Sequence, residues 1–354
     1  MLDVVLGRDA PDLARLAEID APERFVWAIL PHAARTFSAC IALLPMPAAR
    51  AAAVAYLYCR MLDTYEDLLV GPAERDAALA AFAARFDGGT PRGAPPAIGE
   101  HAARDARDAG HLLLVRRHAL VDRVHATLPP PVQALIATLV REMAAGMRWS
   151  TETFARQDGV LEDEAQLLRY CRHVIGEPVL FVARLMRLQR TGNPALPDGV
   201  VEDAMRVGEM VQLANVTRDI EKDLRRGIAY HPLLRADLGA DPAAGGPERA
   251  ARIRSVRREL LGLALRRVPS YRQLMEAVGP GRLSLARASA LLMLLFCDRY
   301  FRGCARRCGL EPWGPRRSGA GLLMRALPAA WSRRWTARAM ARVERSFLDA
   351  AALA

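Results

Sequence analysis

The chain has 354 residues, of which 52% are hydrophobic and 25% are charged, so the composition excludes a wholly disordered protein. Ala, Leu and Arg dominate and aromatic residues make up only 6%, a mixture that favours helices over β-sheets. The net charge of +11 is carried almost wholly by arginine, because Lys222 is the single lysine. Since no nucleic-acid recognition motif accompanies this charge, we expect no nucleic-acid partner.

Helical periodicity recurs along the chain in long blocks that Gly- and Pro-rich segments separate. No stretch alternates apolar and polar residues in the way that strands do. The predicted helices are 22–44, 47–70, 72–86, 99–127, 130–149, 162–190, 197–226, 248–278, 282–308 and 320–350. We therefore predict an all-α protein, with one bundle of about ten helices over residues 1–319 and a basic amphipathic C-terminal helix over residues 320–354.

The sequence favours a cytoplasmic location. Its first twenty residues carry acidic side chains and no long apolar segment, unlike a signal peptide. The longest apolar run, Ala288–Cys297, is shorter than the ~20 residues that cross a bilayer. Six scattered cysteines without CxxC pairs are typical of reduced thiols rather than of disulfides or a zinc site.

The segment after Gly319 mixes apolar and aromatic residues with arginine, a composition suited to anionic lipid headgroups. Its large apolar residues are Leu322, Leu323, Trp331, Trp335 and Phe347. One prediction is peripheral contact with the inner face of the membrane. The alternative is a basic amphipathic helix packed on the domain, and Pro328 interrupts the pattern in either case.

The segment 56–67, YLYCRMLDTYED, is the first of two segments that carry chemistry. On a helix, one polar stripe contains Tyr56, Arg60, Asp63 and Asp67, with Glu66 beside it. Taken alone, such a pattern is more typical of a solvated helix face than of a site.

The segment 212–223, QLANVTRDIEKD, gives a second stripe made of Gln212, Asn215, Asp219 and Asp223. Its flanking residues are apolar, so this helix is expected to be packed on much of its circumference. Carboxylates in such surroundings are costly unless cations compensate them. Arginines accompany both stripes: Arg60 in the first, and Arg218, Arg225 and Arg226 in the second.

The four-residue spacing of the aspartates has a chemical use. Two carboxylates one helical turn apart present oxygen atoms to the same region, and Mg²⁺ commonly binds through one or two carboxylates together with substrate phosphates. Two such helices facing each other, with arginines between them, would hold a metal-bridged diphosphate and stabilise it as it departs, leaving a carbocation. The apolar flanks would accommodate a long hydrocarbon tail.

Four segments of the chain, in order, are similar to motifs of the squalene/phytoene synthases, which join two isoprenoid diphosphates head to head. They are ARTFSACIALLP at 34–45, YCRMLDTYED at 58–67, YCRHVIGEPV at 170–179 and NVTRDIEKDLRRGIAYHP at 215–232. The resemblance covers about Leu30–Pro232. It implies a class I isoprenoid synthase fold, with helices around a central cavity, and a Mg²⁺-dependent prenyltransferase acting on isoprenoid diphosphates.

The resemblance also implies roles for individual residues. The implied metal ligands are Asp63, Glu66, Asp67, Asn215, Asp219 and Asp223. The implied diphosphate ligands are Arg35, Arg60, Arg218, Arg225, Arg226 and Tyr230. Tyr170 is implied in handling the proton lost as a cyclopropane closes, with Arg60 and Arg218 as the other catalytic residues. The cavity residues are Phe37, Tyr56 and Gln212, and the two aromatic rings would shield a cation by their π faces. For Tyr170, Phe37 and Tyr56, the alternative is a packed core residue.

The motifs are mixed with respect to the product. The DTYED segment is more similar to squalene synthases, whereas LRRGIAYHP is more similar to bacterial phytoene and presqualene diphosphate synthases. We predict a C30 product from two farnesyl diphosphates through presqualene diphosphate, with NADPH-dependent squalene slightly favoured over presqualene diphosphate or dehydrosqualene. The alternatives are phytoene formation from geranylgeranyl diphosphate, a non-catalytic assembly or binding factor and, more distantly, a terpene cyclase. A monomer or weak dimer is expected.

Reduction by NADPH would need cationic residues for the nicotinamide phosphate. Candidates surround the Gly/Pro-rich break at 311–319, and they are Arg302, Arg306, Arg307, Arg316 and Arg317. A solvated basic loop is the alternative reading of these arginines.

Overall fold

The computed structural model describes residues 11–239, 246–279, 281–307 and 318–352. Within these ranges the regular structure is helical, and an isolated bridge joins Val160 to Ala229. The all-α class predicted from the sequence is therefore confirmed.

The α-helices of the first half are α1 Leu13–Ala17, α2 Pro22–Ala34, α3 Thr36–Ala42, α4 Met46–Leu68, α5 Pro72–Ala84, α6 Ala106–Arg116, α7 His118–Ala126 and α8 Pro130–Arg156. Those of the second half are α9 Glu164–Cys171, α10 Glu177–Thr191, α11 Asp198–Arg225, α12 Gly246–Leu265, α13 Val268–Val278, α14 Leu285–Arg307, α15 Gly319–Ala326 and α16 Arg333–Ala352. A π-helical turn, Arg172–Gly176, lies between α9 and α10. Short 3₁₀ helices cover Glu100–Ala102, Pro232–Asp237 and Leu327–Ala330.

Several of the predicted helices are interrupted, so the helices are more numerous than expected. The predicted helix 22–44 breaks at Arg35, whose φ of 48° is left-handed. The predicted helices 248–278 and 320–350 break next to Pro269 and Pro328, because proline lacks an amide donor for the preceding helix but fits the first turn of the next one. The predicted helix 162–190 contains the π-helical turn.

The chain divides into two compact units. The first comprises Met1–Thr151, Phe181–Ala195 and Ser318–Ala320, and the second comprises Glu152–Leu180, Leu196–Arg317 and Gly321–Ala354. In the first unit, α4 packs against α2, α5, α6 and α7. Because neighbours surround it, α4 is buried on most of its circumference, mainly through alanine and leucine side chains.

Helix α11 has the same central place in the second unit. It packs against α12, α13, α14 and the π-helical turn. Gly208 of α11 and Gly176 of the π-helical turn meet backbone to backbone, since a Cβ atom at Gly208 would lie 2.3 Å from the Gly176 Cα. Only glycine permits this approach, which holds the segment after Tyr170 against α11.

A buried ion cluster ties the same elements together. Glu209 of α11 is 1% exposed and accepts hydrogen bonds from Arg172 Nε at 2.6 Å and from Arg267 Nε at 2.7 Å. Arg172 begins the π-helical turn, and Arg267 immediately precedes α13. The two guanidinium groups compensate a carboxylate that would otherwise be costly to bury.

The C-terminal helix α16 packs on α14 and α12 within the second unit. Its apolar side buries Met340, Val343 and Phe347, and Leu322 of α15 is buried as well. Leu322 and Phe347 therefore contribute to the protein interior, as the alternative of a helix packed on the domain expects. In the described ranges, no helix has both the length and the apolar character that a bilayer span requires.

We expect Glu209→Gln to lower the free energy of unfolding by about 3 kcal/mol, because it leaves two guanidinium groups without their buried counter-charge. Urea unfolding followed by circular dichroism measures this change. The matched control is Glu202→Gln, since Glu202 also binds Arg172, at 2.8 Å, but its side chain is 41% exposed. The control should cost less than about 1 kcal/mol, and equal losses in the two variants would contradict the assigned role of Glu209.

Candidate active site

After the first turns of α4, the first polar stripe is the only break in the burial of this helix. From Ala51 to Leu68, every residue of the helix is buried except Tyr56, Arg60, Asp63, Glu66 and Asp67. These five are the residues that the sequence pattern grouped. The helix therefore presents one narrow, half-buried polar surface in an otherwise apolar environment.

Arg60 is at the centre of this stripe. Its guanidinium group donates a hydrogen bond to the Tyr56 hydroxyl at 3.1 Å and lies 3.2 Å from the Asp63 carboxylate. Burial raises the pKa of Asp63 to about 6, and Asp67 adds to this rise while Arg60 opposes it. Burial also disfavours the charge of Arg60, but Tyr56 and Asp63 keep its pKa above the usual range. The stripe thus places a fixed cation beside a carboxyl group whose ionisation is unfavourable because the group is buried.

Other predicted residues of the first unit belong to the same neighbourhood. The ring of Phe37 lies 5.8 Å from that of Tyr56, centroid to centroid. Arg35 separates α2 from α3 with a φ of 48°, a left-handed conformation that is uncommon for a residue with a side chain. Glu66 accepts a long hydrogen bond of 3.4 Å from the Ser150 hydroxyl.

Arg107 and His111, on the first turns of α6, are two residues of this neighbourhood that the sequence motifs do not predict. Burial and the charges of Arg60 and Arg35 lower the pKa of Arg107, while Asp67 opposes that shift. Its Nε atom is buried, and no residue of the described ranges accepts a hydrogen bond from it. Burial, Arg60 and Arg107 likewise lower the pKa of His111 to about 3, so its imidazole is neutral. About forty residues separate α6 from the stripe in the sequence. Arg107 therefore joins Arg35 and Arg60 only through the packing of α6 on α4.

The second stripe lies on α11. Between Val207 and Thr217, every residue of this helix is buried except Asn215. Further along, Asp219 is half-buried and Asp223 is buried. Arg225 and Arg226 are exposed, and Arg226 lies 4.0 Å from the Asp223 carboxylate.

Arg218 and Asp219 form a two-point ion pair. Arg218 Nε donates to Asp219 Oδ1 at 2.8 Å, and its terminal nitrogen donates to Oδ2 at 2.5 Å. The guanidinium group also stacks over the ring of Tyr300 of α14, 4.8 Å from the ring centroid. No local sequence pattern indicates Tyr300, because its position depends on the packing of α14 against α11.

A polar chain connects the second stripe to Tyr170. Asn215 Nδ2 donates to Gln212 Oε1 at 3.0 Å, and Gln212 Nε2 lies 3.5 Å from the Tyr170 hydroxyl. The hydroxyl groups of Tyr170 and Tyr230 are 3.3 Å apart. Phe154, which the sequence analysis did not identify, packs its ring against both tyrosines, at 6.3 and 6.0 Å between centroids. Tyr170 is therefore both a packed aromatic residue and part of a hydrogen-bonded group.

The loop after α11 places Tyr230 beside Tyr170. The amide of Ala229 donates to the Gly159 carbonyl at 2.8 Å, and the amide of Leu161 donates to the Ala229 carbonyl at 2.9 Å. Gly159 has a φ of 83°, and a Cβ atom there would lie 2.1 Å from the Gly227 carbonyl oxygen. This pairing therefore requires glycine at 159, and it fixes the residue that precedes Tyr230.

The donor atoms of both stripes fit a hard divalent cation, because they are carboxylate and amide oxygens. In the part of the chain that the structure describes, no three side chains of His, Cys, Asp or Glu converge on one point. A cation held by the pair Asp63 and Asp67 would thus keep coordination positions for water and for substrate phosphates, which is the usual way in which proteins bind Mg²⁺.

The nicotinamide phosphate candidates are mostly outside the described residues. Arg316 and Arg317 lie there, as does the side chain of Arg307. Arg302 Nε donates to both carboxylate oxygens of Asp298, at 3.0 and 2.9 Å. Arg306 is half-buried. No described residue is therefore assigned to a nicotinamide phosphate.

The described cysteines, Cys40, Cys59, Cys171, Cys297 and Cys304, are free and buried, and Cys308 lies outside the described residues.

Comparisons with solved structures show what the fold resembles. A complex of the squalene synthase TcSQS with the ligand BPH1237 is 18% identical, with a TM-score of 0.68, over 94% of this chain and 98% of that chain. A dehydrosqualene synthase in complex with a ligand is 16% identical, with a TM-score of 0.56, over 90% of this chain and 98% of that chain. At these identities the similarity shows the fold alone.

The family of the chain follows from comparisons of its sequence with known proteins and family models. No curated protein matches the chain at a significant level. The sequence model of the family described as "Squalene/phytoene synthase" matches residues 30–307, which is more than half of the chain. The family predicted from the four motifs is thereby confirmed: the chain belongs to the squalene/phytoene synthase family, whose members are prenyltransferases that condense isoprenoid diphosphates head to head.

Proposed function

We propose that this protein condenses two farnesyl diphosphates head to head, through presqualene diphosphate, to a C30 product in a Mg²⁺-dependent reaction. The observation that carries the proposal is the polar stripe of α4, where five half-buried residues interrupt a buried helix. A packed helix gains no stability from such a stripe, because each carboxylate loses hydration. Membership of the squalene/phytoene synthase family supports the same reaction type.

The charges of the first unit suit a diphosphate that arrives with a divalent cation. Three carboxylates of the stripe, Asp63, Glu66 and Asp67, balance three arginines, Arg35, Arg60 and Arg107. A site with no net charge attracts a multiply charged anion weakly, so added positive charge is required. Bound Mg²⁺ would supply that charge and would stabilise the departing diphosphate as the carbon–oxygen bond breaks.

The arginines would then act as fixed donors. Arg60 is held by Tyr56 and Asp63, so its guanidinium group is preorganised for phosphate oxygens and costs little reorganisation when the substrate ionises. Arg107 offers a buried Nε without a protein partner in the described ranges. In the second unit, Arg218 would exchange Asp219 for phosphate oxygens when a cation takes the carboxylate.

The first half-reaction also needs a group that handles a proton. Closure of the cyclopropane in presqualene diphosphate releases one proton from carbon. Tyr170 is our candidate, because its hydroxyl lies 3.3 Å from that of Tyr230 and near the Gln212 amide. These neighbours orient the oxygen, which would take up the carbon-bound proton while its own hydroxyl proton passes through the Tyr230 hydroxyl to the released diphosphate as the final base. The π faces of Tyr56 and Phe37 would stabilise positive charge on the hydrocarbon.

We expect Asp63→Asn and Asp219→Asn each to lower kcat/KM by about 10²–10³-fold, as removal of a group that stabilises leaving-group charge does. Product formation from radiolabelled farnesyl diphosphate with Mg²⁺ measures this loss, and circular dichroism checks that the helices are intact. Asp76→Asn is the matched control, because the Asp76 side chain is 44% exposed and pairs with Arg148 rather than with a residue of the stripe. Near-normal turnover in both site variants would contradict the assignment.

Arg107→Gln should weaken the binding of inorganic diphosphate in the presence of Mg²⁺ by about tenfold, since a charged hydrogen bond contributes on the order of 1.5–3 kcal/mol. Isothermal titration calorimetry measures the affinity. Arg116→Gln, at the exposed end of the same helix, where Arg116 pairs with Glu100, serves as the control. If the two variants bind diphosphate equally well, Arg107 does not contact the anion.

Assays with and without NADPH identify the product. With farnesyl diphosphate and Mg²⁺ we expect a C30 product, and squalene only when NADPH is present. The same product spectrum in both assays would remove the nicotinamide cofactor and leave presqualene diphosphate or dehydrosqualene. A C40 hydrocarbon from geranylgeranyl diphosphate, with farnesyl diphosphate inert, would instead assign the protein to phytoene synthesis.

A further inference from the structure

Exposed apolar residues concentrate at one place in the second unit. Across the described ranges, the large hydrophobic side chains that are exposed are Met46, Val70, Leu233, Leu283, Leu285, Met324, Trp331 and Trp335. Five of these eight come from two short segments, 283–285 and 324–335. Scattered exposed apolar residues are ordinary, but a concentration that includes two tryptophans marks an interaction surface.

The two segments are joined by hydrogen bonds, although about forty residues separate them in the chain. The amide of Ser284 donates to the Ala330 carbonyl at 2.7 Å. The guanidinium group of Arg287 donates to the carbonyl of Ala329 at 2.6 Å and to that of Ala330 at 3.0 Å. It also donates to the carbonyls of Gly279, Gly281 and Arg282. Leu283 and Trp331 therefore flank a fixed junction.

The rest of the surface is attached to the same junction. The indole Nε1 of Trp335 donates to the Arg325 carbonyl at 2.9 Å, which places Trp335 next to the turn that carries Met324. Beneath this layer, Ala329 and Ala330 are buried, so the backbone that presents the side chains is part of the protein interior. We name the surface formed by Leu283, Leu285, Met324, Trp331 and Trp335 the Trp331 face.

The two segments that form the Trp331 face carry charge of one sign. Neither 281–297 nor 318–343 contains an aspartate or glutamate. Exposed arginines lie in the same segments, and they are Arg282, Arg333, Arg334, Arg338 and Arg342. Apolar and indole side chains among arginines, without carboxylates, match the acyl boundary and the phosphate layer of an anionic bilayer.

We propose that the Trp331 face docks on an anionic phospholipid surface, with the two tryptophans at the level of the headgroups. Charge complementarity favours this occupant over a second copy of the chain, because two copies of the face would bring arginines against arginines. The surface is built from the ends of α14, α15 and α16 and the segments that join them, and it does not require α16 to leave α14. The proposal concerns a surface outside the residues of the proposed reaction, and its test does not depend on turnover.

Vesicle sedimentation with the full-length protein tests the proposal. We expect binding to vesicles of phosphatidylglycerol and phosphatidylcholine in equal parts, and no binding to pure phosphatidylcholine. Leu283→Ser/Trp331→Ser should weaken binding about tenfold, because it removes buried apolar contact from the interface. The matched control is Val70→Ser, since Val70 is 90% exposed but lies in the other unit; this variant should bind like the parent protein.

A second pair of variants tests the charge. Arg333→Gln/Arg334→Gln should also weaken binding about tenfold or more, and added salt should weaken binding of the parent protein. Arg24→Gln, another exposed arginine, is the control. Urea midpoints should be unchanged in all variants, because Leu283 is 73% exposed and Trp331 is 64% exposed. If the apolar variant fails to fold, the arginine variant still decides the question.

Three outcomes would overturn the proposal. Absence of binding to anionic vesicles would refute it directly. Unchanged binding by both double variants would place the lipid contact elsewhere. A dimer in sedimentation velocity that Leu283→Ser/Trp331→Ser dissociates, without vesicle binding, would assign the Trp331 face to a second copy of the chain.

Discussion

The burial of ionisable groups on packed helices is the constraint on which the candidate site depends. Helix α4 is enclosed by its neighbours, yet it carries Asp63, and burial raises the pKa of that carboxyl to about 6. A folded-state pKa above that of an exposed aspartate means that ionisation of Asp63 costs stability as the pH rises through 4 to 6. Arg60 offsets part of this cost, and a bound cation would offset more. The site is therefore held in a state that favours cation binding.

In the second unit, contacts of the backbone set the positions of two tyrosines, Tyr170 and Tyr230. Tyr170 is at the end of α9, and the backbone after it forms a π-helical turn that contacts α11 through Gly176 and Gly208. Tyr230 reaches the same place from a loop whose pairing requires Gly159. Neither tyrosine sits on α11 itself. Backbone close approaches, rather than side-chain packing alone, therefore set the 3.3 Å between the hydroxyl groups.

The helices that carry the stripes were predictable from local signals. The sequence predicts 47–70 and 197–226, and the structure has Met46–Leu68 and Asp198–Arg225. Prolines and glycines at both ends, together with a helical period between them, are sufficient for such segments. The grouping of the five residues on α4 follows from the same period, and their shared partial exposure agrees with it.

Other features depend on tertiary contacts and left no local pattern. The left-handed conformation of Arg35 and the π-helical turn interrupt helices that propensity would continue. Arg107 joins the stripe only because α6 packs on α4. Phe347 satisfies the pattern of an amphipathic surface helix, but whether its apolar side meets lipid or protein is decided by α14, which covers it. Periodicity identifies an apolar face, and packing determines its partner.

The arginine excess shows why net charge alone says little about partners. Arg257 is buried in the second unit and donates hydrogen bonds to the Thr217 carbonyl and to Glu221. Arg267, in the same unit, donates to the buried carboxylate of Glu209. Arg287 binds five carbonyl oxygens and holds two chain segments together. Such residues contribute to the charge of +11 without presenting it to a ligand. What matters for recognition is where guanidinium groups lie in a stretch without carboxylates, as in 318–343, so position rather than composition makes the charge informative.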